Sequence, residues 1–155
     1  MPNKPKHAKS GRRAPLTRTQ LLPIAPTTAR KFSLENHLAL VAMRNGRGSA
    51  DFASILIKTL YLTFLVCERD RLYPPIETYL EAESILRASI DDLVTTDSWQ
   101  IADVQCAAIE RVLCTHDEQL ASTPLNRIEV AKRRLDHILK AGRFPDLDAM
   151  HRMRG

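Results

Sequence analysis

The chain is short of the residues that β-architectures use. Only 5 of its 155 residues are Gly, and aromatic residues make up 5%. Sandwiches and barrels need aromatic, β-branched strands joined by Gly-rich turns, so they are excluded. Cys67, Cys106 and Cys114 are too few for a disulfide scaffold and lack the C-x-x-C spacing of a zinc site. No apolar h-region follows the N-terminal charges, so a secretory leader is not expected. That region is acid-poor and Arg-containing, as transit peptides are, but its prolines forbid a long amphipathic helix. The most apolar run, Phe52–Cys67, covers 16 residues and is interrupted by Lys58, too short for a membrane span. A cytoplasmic protein without membrane contact is the expectation. No P-loop, dinucleotide-binding turn, G-x-S-x-G elbow or H-E-x-x-H is present, so no cofactor and no catalytic or metal residues are assigned.

Acidic residues are missing from one stretch altogether. The chain carries 23 basic and 18 acidic residues, a net +5. Residues 1–32 hold eight of the bases (Lys4, Lys6, Lys9, Arg12, Arg13, Arg18, Arg30 and Lys31) and no acid. That leaves 15 bases and 18 acids for residues 33–155, a net −3. Pro2, Pro5, Pro15, Pro23 and Pro26 also fall in 1–32. Prolines break helix periodicity and like charges repel, so this segment reads as a disordered, basic, Pro-rich arm. Fully extended as polyproline it would reach on the order of 100 Å. Further on, Ile76–Glu118 holds ten acids and two bases, whereas Leu125–Gly155 holds eight bases and four acids. Such asymmetry suggests charged partners or self-association between opposite patches.

Five helices are legible in what remains. The first starts at Ser33 as N-cap, puts Leu34, Leu38, Val41 and Ala42 on its buried face, and stops at Asn45-Gly46-Arg47-Gly48. The second starts near Ser49, with Asp51 in its first turn, and runs to about Arg69 before Tyr73-Pro74-Pro75. So apolar a helix belongs at the centre of the domain. The third begins at Pro75 and carries Tyr79, Ala82, Leu86, Ile90 and Leu93 as its stripe. The fourth begins at Asp97 with Gln100 completing a capping box, and Trp99 packs its entrance. The fifth starts at Thr123-Pro124, buries Leu125, Ile128, Ala131, Leu135 and Ile138, and ends at Gly142. Short connections make sequential helices antiparallel neighbours. The expected fold is an all-α antiparallel bundle over 33–142, with a weakly structured tail over 143–155 anchored by Phe144 and Leu147.

Three constellations bear on function. A helix-turn-helix can be aligned on Ala42, Gly46 and Phe52, but its second helix would be the apolar 55–62 stretch, which offers few polar side chains to bases. The fifth helix is the better nucleic-acid candidate. Arg127 and Arg134 are seven apart, as are Arg133 and Lys140, although Glu129 and Asp136 could pair with them. His37, His116-Asp117 and Asp136 follow the order of metal-dependent phosphohydrolases, with residue types suited to a hard divalent cation. Cys106 and Cys114 read as small apolar core residues.

The Lys/Arg/Pro arm, Phe32-Ser33-Leu34-Glu35-Asn36-His37-Leu38-Ala39-Leu40, then Asn45-Gly46-Arg47-Gly48-Ser49 and an apolar helix make a recognisable plan. It resembles short uncharacterised bacterial proteins from accessory or phage-like regions, some labelled Fis-type regulators. That label would imply a C-terminal helix-turn-helix. Here Gly142 is followed by Arg143-Phe144-Pro145 where the recognition helix should be, so no functional residue is carried over. The expectation is a non-enzymatic bacterial accessory protein whose arm touches DNA or RNA. The alternative is a protein-interaction or oligomerisation module, and a minor alternative is a metal-dependent phosphohydrolase.

Overall fold

The computed structural model describes residues 13–67, 72–96 and 99–153. These form α1 (Arg18–Leu21), α2 (Pro26–Arg44), α3 (Ala50–Val66), α4 (Ile76–Thr96), α5 (Asp103–Ser122), α6 (Leu125–Lys140) and α7 (Leu147–Arg152). The protein is all-α, as expected from its few glycines and aromatics. Helix α3 is central. Ser49 caps it, its Oγ accepting from the Phe52 N–H at 3.2 Å. Ten of its residues are buried, and α2, α4, α5 and α6 all pack on it. Its Leu56, Leu60, Tyr61 and Phe64 are fully buried together with Tyr79, Leu86, Ile109 and Leu113 from α4 and α5, and Phe64 and Tyr79 meet edge to face at 5.5 Å.

Polar rungs cross this apolar interior. The Thr59 hydroxyl donates to Asn36 Oδ1 at 3.1 Å, joining α3 to α2. Thr63 Oγ1 lies 3.2 Å from His116 Nδ1, and Gln119 Nε2 donates to the Thr63 carbonyl at 3.0 Å, joining α3 to α5. Each group is buried, so leaving any of them unpaired would cost about 1–3 kcal/mol.

Several helix limits differ from the sequence reading. The first long helix begins at Pro26, not Ser33. Pro suits the first helical position because its missing N–H is an orphan there anyway. Thr17 caps α1 with a complete capping box, Gln20 N donating to its Oγ1 and its own N–H donating to Gln20 Oε1 at 2.9 Å. Helical turns therefore lie inside the segment read as arm. The buried face of α2 is also corrected. Leu34, Leu38 and Val41 are 60%, 54% and 49% exposed, while Asn36, Ala39, Leu40 and Met43 are buried. The helix has two apolar faces, and the core takes the one with small Ala39 and with Asn36 matched to Thr59.

Helix α5 begins at Asp103 instead of Asp97, which lies outside the described residues. Its first turn is closed by Gln105, whose Oε1 accepts from the Ala102 N–H at 3.3 Å. The preceding strip is pinned by Ile101 N donating to the Met43 carbonyl at 3.1 Å, and Trp99 packs half-buried against the core. The continuation of the second expected helix to Arg69 lies outside the described residues. The tail is more ordered than expected. Asp146 caps α7, Leu147 is buried, and the Phe144 ring lies 6.2 Å from Tyr61 under the Arg87 guanidinium.

Candidate nucleic-acid interface

Four arm cations, Lys4, Lys6, Lys9 and Arg12, lie outside the described residues. Arg13 and Arg18 are exposed, the latter in α1. Helix α1 packs on α6, and the Leu125 N–H donates to the Leu22 carbonyl at 2.9 Å. That bond serves an N-terminal donor of α6 that the helix itself leaves unpaired. It also fixes the root of the basic segment beside the basic helix. Arg30 and Lys31 are exposed on the early turns of α2, which packs on α3 and α5.

On α6, Arg133, Arg134 and Lys140 are exposed, and so is Lys132, which the seven-residue spacing did not single out. Among the described residues Lys132, Arg133 and Lys140 make no ion pair, so Glu129 and Asp136 do not neutralise them. Arg127 departs from the expected pairing with Arg134. It is half-buried, and its guanidinium donates to the Val66 carbonyl at the end of α3 at 3.5 Å. It closes a cavity of about 180 Å³ that also holds Cys67 and Gln119. Arg127 is thus committed to the helix end, whereas Lys132, Arg133 and Lys140 face solvent. Such exposed cations meet phosphates, the lysines as point charges and Arg133 as a planar fork, and phosphate contacts carry no base readout.

The helix-turn-helix alignment fails on burial, because its second helix is the buried α3. The His/Asp set is not assembled as a metal site. His37 Nε2 pairs with Asp117 Oδ2 at 2.9 Å, while His116 turns inward to Thr63 and Asp136 stands exposed on α6. Among the described residues no group of three or more His, Cys, Asp or Glu side chains is placed to hold a metal. Burial pushes the His116 pKa down to about 4, outweighing the neighbouring Asp117 carboxylate, so the ring is neutral near pH 7. Cys106 is buried as expected, and that burial pushes its thiol pKa up. Cys114 is exposed instead of core.

A cavity of about 310 Å³ between α3, α4 and the tail is lined by Tyr61, Trp99, Phe144 and aliphatic side chains, with Lys58 and Ser54 as its other polar groups. No helix among the described residues is long and apolar enough to cross a membrane. No family model, no curated protein and no solved structure matches the chain.

Proposed function

We propose that this chain is a non-enzymatic bacterial accessory protein of the cytoplasm that binds DNA or RNA without reading sequence. The supporting observation is the junction of α1 with α6. It roots the acid-free basic segment at the N-terminal end of α6, the helix that carries three exposed cations with no acidic partner among the described residues. Binding then proceeds by release of counterions from the phosphates. With the six arm charges that precede α2 engaged on duplex DNA, the slope of log K against log salt approaches roughly −5.

The test compares the full chain with one starting at Arg13, which lacks Lys4, Lys6, Lys9 and Arg12 but keeps α1 and its cap. Fluorescence anisotropy on an unrelated-sequence duplex, read across a salt series, should give a slope shallower by about 3 to 4 for the shortened chain. Adding Lys132→Glu, Arg133→Glu and Lys140→Glu should weaken binding further on every duplex sequence alike. Unchanged affinity in both proteins refutes the reading.

A further inference from the structure

Helix α2 leaves an apolar face uncovered. Leu34, Leu38 and Val41 follow one another at spacings of four and three, so they form a single stripe opposite the buried Ala39–Met43 face. The flank of α2 next to α5 is marked by polar side-chain pairs. His37 meets Asp117 at 2.9 Å, and Arg44 meets both Asp103 and Glu110. Asp103, Glu110 and Asp117 recur every seven residues and so mark the edge of α5 that faces α2. Four positions beyond each stand Ala107, Cys114 and Ala121, all exposed. The α2/α5 surface therefore runs from a stripe of large aliphatic side chains, across a line of polar pairs, to a row of small ones. Knobs such as Leu38 seat against small side chains at short interaxial distance.

The two ends of this face carry opposite charge. Arg30 and Lys31 are exposed at one end and make no ion pair among the described residues. At the other end Asp103 and Glu110 share the single guanidinium of Arg44. A two-fold axis near Leu38 superposes the positive end on the negative end, so the face is complementary to itself.

We propose that a second copy of this chain covers the α2/α5 face, its α2 antiparallel to the first. Leu34 then meets the partner's Val41, and Arg30 and Lys31 reach the partner's Asp103 and the partner's Glu110. The interface is isologous and closes at two copies. Neither Arg133 nor Lys140 on α6 takes part.

Sedimentation velocity on the full chain, from low to high micromolar, tests this. The expected result is a dimer that grows with concentration. Leu38→Glu, an exposed position, should raise the dissociation constant at least about tenfold with unchanged far-UV circular dichroism. Arg30→Glu with Lys31→Glu should weaken it in the same direction, and Lys132→Glu with Arg133→Glu should not. Cys114 is the one exposed thiol of the three, so its reaction with a thiol reagent should slow as the dimer forms and stay fast in Leu38→Glu. A monomer at every concentration overturns the proposal, including one that adsorbs instead to anionic phospholipid vesicles. So does a dimer whose constant Leu38→Glu leaves unchanged.

Discussion

Lowering the pH should destabilise this protein through His116. The Thr63 hydroxyl has one proton and gives it to the Thr59 carbonyl at 2.7 Å, so its oxygen accepts from His116 Nδ1–H at 3.2 Å. A second proton must go to Nε2, on a ring that is only 5% exposed. Burial lowers the pKa to about 4 from 6.5, and Asp117 offsets this only in part. The unfolded chain takes up that proton near pH 6.5, while the folded chain resists until about pH 4. Between those values the unfolded state binds more protons, so stability falls as pH falls and levels off below the folded pKa. The difference is worth about 3 kcal/mol, a large share of the roughly 5–15 kcal/mol that holds a domain together. Urea unfolding of the wild type and of His116→Gln, measured at neutral pH and near pH 4, isolates the effect. Gln keeps a donor for Thr63 and carries no titrating group. The wild type should lose about 3 kcal/mol more than the variant over this window. Equal losses in the two proteins refute the assignment.

Two further outcomes follow from packing. A Cβ at Gly48 would meet the Trp99 Cβ and carbonyl oxygen at 2.6 Å and the Met43 sulfur closer still, so Gly48→Ala should cost about 1–3 kcal/mol. It should also shift the emission of Trp99, the single tryptophan, in an unfolding titration read by fluorescence. Tyr61 donates to Glu83 Oε1 at 2.6 Å, and burial together with this bond holds its phenol above the ordinary range. Tyr61→Phe should cost about 1.5–3 kcal/mol by denaturant midpoint, since the lost bond is to a charged acceptor.

The parts of the fold that were legible are those where one signal had one reading. Ser49 ahead of an apolar run can only be a cap for a buried helix, and Gly142 past a periodic stripe does end α6, at φ +68. Helix α2 was misread because it presents two apolar stripes, and periodicity alone cannot say which meets the core. The deciding residue was Asn36, which looks polar in sequence and becomes a core residue only once Thr59 is opposite it. Pro26 reads equally as a helix breaker and as a first helical residue. Asp97 and Gln100 have capping-box spacing, but the helix opens six residues later because Gln105 closes its first turn. Of the candidate interface, the cations of 13–31 and α6 were visible as charge. The docking of α1 on α6 was not, because it depends on a backbone bond between Leu22 and Leu125, which are far apart in the chain.

The buried rungs on α3 have a consequence beyond their own hydrogen bonds. An aliphatic helix surrounded by aliphatic neighbours can slide one turn, about 5.4 Å, and recover most of its contacts. Here such a slip would strand the Asn36 carbonyl, the His116 N–H and the Gln119 amide together. The three rungs therefore index α2, α3 and α5 to a single alignment and separate it in energy from neighbouring ones. Replacing Asn36, Thr59, Thr63, His116 and Gln119 together with aliphatic residues of similar size would preserve burial while removing the index. The expected product is a helical bundle of undiminished helicity whose side-chain NMR signals broaden through exchange between alignments.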